Sequence, residues 1–532
     1  MMDLPLNAWL LFDHSPAHCP DAEVVSRDPS GHLERTTYAE FGHRTQQLMH
    51  ALDKLGLARG DVVASLAWNS SRHLETYFGV PCTGRVLHTL NVRLSPEDLA
   101  FVMHDAGDRV VLVDPDFLGL LEQSLEYQQA PEHVIVLGDH VPDSSIPSLI
   151  AYEDLLADQP TAYPRPHIDE QDPMGLCYTS GTTGRPKAAV YTHRSTFLHA
   201  LAVTSHAGMS IGPGDAVLPQ VPMFHANAWG MPYAAAAVGA KQVFFAGALE
   251  ASSFVDLMVS ERITVAAGVP TVWLGVADEL SKRGENLPEL RHIICGGSQP
   301  PRSLIERYAS EFSIRIVQAW GMTETSPLAS MAWPQERMRD WSEEEVTTAA
   351  RVQAGLPVPG IEISIRDDVG AEVPADGTSM GDLRVRGPWV IDGYLHGDGA
   401  EAFTDEGWFK TGDVAIASPG GYFVIADRTK DLIKSGGEWI SSVDMEAAVM
   451  ELIGVAEAAV IAVPDPKWQE RPLVCVVLKP DTDLSVDQVR EHLLTRGFAR
   501  WQLPDRIELI EAVPRTAVGK FDKKALRARF VP

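Results

Sequence analysis

The sequence predicts an α/β protein: a large N-terminal domain of α/β subdomains plus a β-rich subdomain, followed by a small α+β C-terminal domain. Three observations predict it. At 532 residues the chain exceeds one ordinary domain, since roughly 150 residues per domain gives three or four units. Short apolar runs alternate with helical-period segments through about residue 320, the texture of a largely parallel sheet with crossover helices. Beyond about residue 355 glycine-punctuated β-rich pieces take over, and from about residue 431 some 100 residues of α+β pattern follow, enough for a separate core.

Taken in order, residues 38–57 carry a helical period that stops among Gly56, Leu57 and Gly60. Residues 61–67 are a short apolar run, the signature of a buried strand. Ser95 followed by Pro96 marks a helix start, with serine at the cap and proline at the first helical position. Residues 109–113 form another apolar run, and the texture recurs at 263–267 and 293–295. Apolar stretches 174–177 and 188–191 flank a polar loop and are read as two strands. Further on, 361–365 and 382–385 read as strands of the β-rich part. In the last part, 443–452 and 486–494 are helical and 456–463 and 472–478 are strands. The charged run Asp427, Arg428, Thr429, Lys430 is expected to carry few buried contacts. It divides the chain into 1–428, with the β-rich subdomain at about 355–428, and 429–532. The sequence shows no internal repeat and no low-complexity tract.

Composition excludes several function classes. There are 44 Lys and Arg against 72 Asp and Glu, a formal net charge of −28, with 45% hydrophobic and 22% charged residues. That is globular composition. It excludes a nucleic-acid scaffold, which needs a basic face for phosphates, but not small anionic ligands, which respond to a local field. No apolar run approaches the ~18 residues of a transmembrane helix. The N-terminus lacks a basic region, and the apolar stretch from Trp9 to Phe12 stops at Asp13, so no signal peptide is expected. Five cysteines lie far apart with no CxxC pair, which fits reduced thiols and a cytoplasmic location. The 18 histidines include no HExxH zinc motif.

The most informative segment is the loop Thr179, Ser180, Gly181, Thr182, Thr183, Gly184, Arg185, Pro186, Lys187. Two glycines let the backbone approach a ligand, and four hydroxyls with the N–H groups can line an anion-binding nest. It is not a Walker A loop, because two residues separate Gly181 from Gly184 and Ala188 follows Lys187.

This loop resembles the phosphate-binding loop of adenylate-forming enzymes, the superfamily of acyl-CoA ligases, amino-acid adenylation domains and luciferases. Further motifs follow in that superfamily's order. Gly296, Gly297, Ser298, Gln299, Pro300, Pro301 resemble its adenine-side turn. Gln318, Ala319, Trp320, Gly321, Met322, Thr323, Glu324 resemble its aromatic-Gly-x-Thr-Glu motif. Thr411, Gly412, Asp413 resemble its Thr-Gly-Asp motif, Asp427 to Asp431 its hinge, and Pro514 to Lys520 its catalytic-lysine motif. The resemblance spans nearly the whole chain. Most relatives place glycine after the loop lysine, where this chain has Ala188.

The resemblance implies ATP and coenzyme A as substrates, Mg²⁺ as cofactor and a carboxylic acid as the group activated. It assigns ATP or AMP contacts to Thr179, Ser180, Gly181, Thr182, Thr183, Gly184, Lys187, Gly297, Ser298, Gln299, Ala319, Trp320, Gly321, Met322, Thr323, Asp413 and Arg428. Physical reasons support the roles. Glu324, with Thr182, suits Mg²⁺, which prefers carboxylate with phosphate and water oxygens. Thr323 can donate to the α-phosphate, Asp413 can accept from two ribose hydroxyls, and Trp320 offers a flat face to adenine. Arg428 can reach ribose or phosphate, and Lys520 can bridge the attacking carboxylate and the ribose. The resemblance also makes the C-terminal domain mobile about a hinge at Lys430, so that it presents Lys520 for adenylation. It then brings Lys434, Gly436, Gly437, Glu438 and Trp439 to the pantetheine path for thioester formation.

For the acid, the informative stretch runs from Val221 to Tyr233. Amino-acid adenylation domains place an aspartate after the aligned phenylalanine, whereas here Phe224 is followed by His225, which argues against α-amino acids. The stretch resembles the gate segment of fatty acyl-CoA ligases, with Trp229 as the gate and His225 beside the carboxylate. A medium- or long-chain fatty acid is therefore expected, with the short thioether acid 3-(methylthio)propionate as the alternative. A luciferase-like oxygenase and acyl transfer to a carrier protein are alternatives of other classes. About twelve residues follow Lys520, so no fused carrier domain is expected. Relatives are often dimers, which points to a homodimer. Finally, Lys520, Lys523, Lys524, Arg527 and Arg529 crowd the last fourteen residues against the single acid Asp522, a basic tail expected to draw in phosphates.

Overall fold

The computed structural model describes residues 2–179, 185–435, 438–480, 482–515 and 521–531, apart from the side chain of Glu438. The chain divides into two compact units: Met1–Glu362 with Arg386–Phe403, and Ile363–Val385 with Thr404–Pro532.

Among the described residues, the first unit holds two large sheets. The nine-stranded sheet runs in space Leu356–Pro357, Leu328–Met331, Arg315–Gly321, His292–Cys295, Val265–Gly268, Ala216–Pro219, Lys241–Phe245, Glu23–Arg27, Leu33–Thr37. The seven-stranded sheet runs Ile150–Ala151, His133–Val136, Asp108–Val113, Val62–Leu66, Val86–Thr89, Pro173–Tyr178, Ala188–Thr192. The central strands pair in parallel, for example Val62–Leu66 with both Val86–Thr89 and Asp108–Val113. A parallel strand is covered on both faces, which is why these strands read as unbroken apolar runs.

The crossover helices begin and end where local chemistry directs. Helix Tyr38–Lys54 starts with a reciprocal cap, Thr37 accepting from the Glu40 N–H and Glu40 accepting from the Thr37 N–H. It ends at Lys54, three residues before the expected stop, because Gly56 takes a left-handed conformation with φ +75°. Helix Pro96–Ala106 has Ser95 as its cap and closes on Gly107 at φ +71°. The cores lie between sheets and helices. One gathers Leu218, Val243, Phe254, Trp273, Ile293 and Tyr308, and the other Leu66, Val111, Val113, Leu99 and Phe224. Each fully buried large side chain contributes about 1.5–3 kcal/mol from removal of apolar surface.

The second unit has a four-stranded sheet, Glu362–Arg366, Met380–Arg386, Phe409–Ala417, Phe423–Arg428, and a second sheet of α+β character. In the latter, Glu438–Ile440, Ile433–Ser435, Gln469–Leu478 and Val455–Asp465 lie side by side, and Arg506–Leu509 pairs in parallel with Gln469–Leu478. Helices Ser442–Met450 and Val486–Thr495 supply Met445, Val449, Val489 and Leu493 to its core.

Within the charged run 427–430, Thr429 and Lys430 are exposed, but Asp427 departs from the expectation. Asp427 is 1% exposed, and its carboxylate accepts from the Ser442 N–H at 2.6 Å and the Ser442 hydroxyl at 2.5 Å. An ionised group is buried only when its hydrogen bonds are met within the protein, and here the first turn of a helix meets them. Among the described residues, no helix is long and apolar enough to cross a membrane.

Candidate active site

Strands Pro173–Tyr178 and Ala188–Thr192 pair antiparallel, Tyr178 opposite Ala188, and flank the polar loop as the sequence predicts. The Thr179 N–H donates to the Lys187 carbonyl at 2.9 Å and closes the base of the loop. Ser180, Gly181, Thr182, Thr183 and Gly184 lie outside the described residues. Tyr178 donates its hydroxyl to Asp105 at 2.6 Å, at the end of helix Pro96–Ala106. Its ring packs 4.9 Å from that of His88, which is tied to buried Asp108 at 2.9 Å. On the other side of the loop, Lys187 Nζ stands 3.4 Å from the Glu401 carboxylate and 5.7 Å from the centre of the Tyr394 ring.

Strand Arg315–Gly321 delivers Ala319, Trp320 and Gly321 half-buried to its end, and Met322 leads into the tight turn Thr323–Thr325. Only glycine fits at 321, since a Cβ there would lie 1.6 Å from the Pro327 carbonyl oxygen. Glu324 is 7% exposed, and one of its oxygens accepts from the Tyr394 hydroxyl at 2.6 Å. The Thr323 carbonyl accepts from Tyr191 at 2.7 Å. Burial and the Glu324 carboxylate push the Tyr394 phenol well above its usual range, so it stays a donor. Among the described residues, no three His, Cys, Asp or Glu side chains gather as a metal cluster. The oxygen donors of Glu324 fit a hard cation such as Mg²⁺, completed by phosphate and water.

Gly297, Ser298 and Gln299 follow strand His292–Cys295. Gly297 and Ser298 are exposed, and the Gln299 amide donates to the Val352 carbonyl at 3.2 Å. Trp229 lies against this turn: its ring edge sits 3.0 Å from where a Cβ on Gly296 would be.

The segment that carries Trp229 is unusual. Ala226, Asn227, Ala228 and Trp229 have φ of +42°, +54°, +48° and +57°, a left-handed turn of four residues with side chains, completed by Gly230 at +72°. Such a run costs roughly 1–2 kcal/mol per residue and persists only where its surroundings determine it. Buried polar groups do so here. Asn69 donates to the carbonyls of Pro219 and Val221 at 3.2 and 2.9 Å and accepts from the Met223 N–H at 2.6 Å. Tyr77 donates to the Met223 carbonyl, and Cys177 Sγ accepts from the Ala226 N–H at 3.3 Å. Burial pushes the Cys177 thiol up to about 11. His199 closes the turn: its ring lies where a side chain on Gly230 would go, and its Nε2 accepts from the Leu328 N–H at 3.2 Å. Burial lowers the His199 imidazole to about 3, which keeps it neutral and able to accept. His225 is half-buried at the start of the turn. The turn with Trp229, the Gly296–Gly297 corner and the strand that follows Glu324 thus share contacts within the first unit.

In the second unit, Asp413 and Arg428 face each other across antiparallel strands, with Arg428 Nε 2.7 Å from the Asp413 carboxylate. Asp413 is 4% exposed, and its N–H donates to the Thr411 hydroxyl at 3.0 Å. The carbonyl of Lys430 accepts from Arg527 at 3.3 Å. Lys434 and Trp439 are cross-strand neighbours, with the ammonium 5.2 Å from the indole centre. Gly436, Gly437, the side chain of Glu438 and Lys520 lie outside the described residues.

The basic tail reads differently in the structure. Lys523 is nearly buried in an ion pair with Glu446 at 2.8 Å, and Arg527 pairs with Asp431. Helix Lys523–Phe530 therefore commits two of its cations to ion pairs, while Lys524 and Arg529 stay exposed. Tyr394, Tyr191, Asn69, His199 and Cys177 escaped sequence reasoning. Each is a lone polar residue amid apolar or turn-rich sequence, and its partner is distant in the chain.

The model of the AMP-binding enzyme family matches residues 12–395, and that of the AMP-binding enzyme C-terminal domain matches 444–520. The chain is 45% identical over 532 residues to the long-chain-fatty-acid–CoA ligase of Thermus thermophilus, covering all of this chain and 96% of that one. It is 40% identical over 532 residues to the 3-methylmercaptopropionyl-CoA ligase of Ruegeria lacuscaerulensis, covering all of this chain and 98% of that one. Among solved structures, an anthranilate CoA ligase in complex with anthranoyl-AMP superposes with a TM-score of 0.87 at 25% identity, over 99% of this chain and 98% of that one. With both family regions matched in order and full-length likeness to CoA ligases, the chain belongs to the AMP-binding enzymes, among their acyl-CoA ligases.

Proposed function

We propose that this chain is an ATP-dependent acyl-CoA ligase for medium- or long-chain fatty acids. In the first half-reaction a carboxylate oxygen attacks the α-phosphate of ATP, the P–O bond to pyrophosphate breaks, and acyl-AMP forms. In the second the thiol of CoA loses its proton, its sulfur attacks the acyl carbon, and AMP leaves. Catalysis of this kind is mostly positioning and charge neutralisation.

The loop 179–187 cradles phosphates, with Lys187 supplying a positive charge. Ala319, Trp320, Gly321 and Met322, with Gly297, Ser298 and Gln299, hold the adenine side. Thr323 donates to the α-phosphate, Asp413 accepts from the ribose hydroxyls, and Arg428, already fixed by Asp413, reaches the ribose or phosphate. Glu324 with Thr182 holds Mg²⁺, which when bound neutralises phosphate charge. Lys520 bridges the reacting carboxylate and the ribose. Domain 429–532 pivots at Lys430 between half-reactions and brings Lys434, Glu438 and Trp439, with Gly436 and Gly437, to the thiol path. A cytoplasmic location and a homodimer belong to the same proposal.

The observation that carries the choice of acid is the Trp229 turn. It is apolar, with Met223, Phe224 and Met231 buried around it, and it presents His225 where an amino-acid enzyme needs an acid. The 45% identical relative named for long-chain fatty acids supports the same choice. The test is ATP- and CoA-dependent turnover across a panel of acids from propionate to palmitate, with 3-(methylthio)propionate included. The highest kcat/KM is expected for a medium- or long-chain acid. A maximum at 3-(methylthio)propionate would move the chain to the short thioether acids.

A further inference from the structure

We propose that Tyr394 is a positioning residue for the nucleotide site, setting the Glu324 carboxylate and the Lys187 ammonium through one phenol. The proposal rests on the ligase reading above. Segment 391–403 touches both charged groups. The Ile391 N–H donates to the Glu324 carbonyl at 2.9 Å, and the Tyr394 hydroxyl donates to the Glu324 side chain at 2.6 Å. The backbone of Tyr394 bridges Ala189, two residues past the loop lysine. Its ring lies 5.7 Å from Lys187 Nζ and is braced by Phe403, with ring centres 6.5 Å apart.

The chemistry of a phenol suits this place. A buried carboxylate needs a donor, or its desolvation is uncompensated. An arginine or lysine donor would satisfy Glu324 but cancel the charge that attracts a divalent cation. A neutral hydroxyl holds one oxygen and leaves the charge and the second oxygen to the cation. The same logic applies to Lys187. The ring face attracts the ammonium through its quadrupole without neutralising it, so the charge remains for phosphate. The contact of Lys187 with Glu401 is an exposed pair, 37% and 80% accessible, of the kind readily exchanged in water. Tyr394 therefore orients a cation and an anion on one platform and cancels neither.

The experiment compares wild type with Tyr394→Phe, which keeps the ring and removes the hydroxyl. Two readouts are followed against Mg²⁺ concentration: the thermal shift produced by ATP, and acid-dependent pyrophosphate release. The expected result is a ligand-free Tm lowered by no more than a few degrees, from the unmet Glu324 oxygen, and a Mg²⁺ midpoint raised about ten-fold in both readouts, the size of one lost hydrogen bond to a charged group. In a Glu324→Gln background the same substitution should move the midpoint no further, since the two residues act as one unit. A midpoint within about two-fold of wild type, or a fall in kcat at an unchanged midpoint, would overturn the proposal and leave Tyr394 a packing residue. If wild type releases no pyrophosphate with any acid, the ligase reading fails instead, and the thermal shift still decides the role of Tyr394.

Discussion

Gly230 shows how much one backbone position carries. It ends the left-handed turn at φ +72°, and a Cβ there would meet the His199 ring at 2.4 Å. Gly230→Ala adds a left-handed penalty of about 1–2 kcal/mol and overpacking of about 1–3 kcal/mol, roughly 2–5 kcal/mol together. Urea denaturation should report a loss in that range with an unchanged m-value, and a variant as stable as wild type would contradict the contact. At this scale the sequence shows the chemistry-bearing residues that sit in dense motifs, such as Glu324 after Gly321 and Asp413 after Gly412. It does not show Tyr394, His199 or Asn69. The reason is physical: Asn69 earns its place by bonding Met223, 154 residues away, and no local pattern encodes such a partner.

Elements with a simple period were legible. The apolar runs before and after the polar loop are the hairpin strands, and Ser95 caps the helix it was expected to cap. The left-handed turn at Ala226–Trp229 was not legible, because alanine and tryptophan carry no left-handed preference and tertiary contacts impose the conformation. Nor was the burial of Asp427 visible, since a buried aspartate looks like a surface one in sequence. On the proposed acyl-ligase reading, the turn borders the acyl path. Trp229 is 7% exposed and lies over Gly296 and Gly297, so Trp229→Ala opens space beside the proposed acyl path. Each extra methylene that becomes buried is worth about 0.8 kcal/mol, roughly four-fold in kcat/KM. The variant should shift its chain-length preference by one or more carbons while keeping its KM for ATP. An unchanged profile would remove Trp229 from the acyl path.

The whole molecule carries a net charge of −28, yet proposes to handle three anions. Attraction must then come from local groups, and of the basic C-terminal helix Lys523 and Arg527 are committed to ion pairs while Lys524 and Arg529 stay exposed. Stability against acid is also a property of the whole. Burial lowers His73, His193 and His292 to about 4 and His199 to about 3. Between those values and the ordinary 6.5, the unfolded chain binds protons that the folded chain refuses. Stability from these groups is therefore full above pH 6.5 and falls as pH drops, by up to about 1.4 kcal/mol per pH unit for each histidine. Tm should decline steeply between about pH 6.5 and 5, and a flat Tm across that window would contradict the neutral buried histidines.

The proposed reaction runs in two steps through an acyl-adenylate. The most direct measurement follows products from ATP, Mg²⁺ and a long-chain fatty acid with and without CoA. Without CoA, pyrophosphate should appear in an acid-dependent burst with enzyme-bound acyl-AMP. Adding CoA should convert that adenylate to acyl-CoA and AMP in equal amounts. Formation of ADP and phosphate, or pyrophosphate release that ignores the acid, would contradict it.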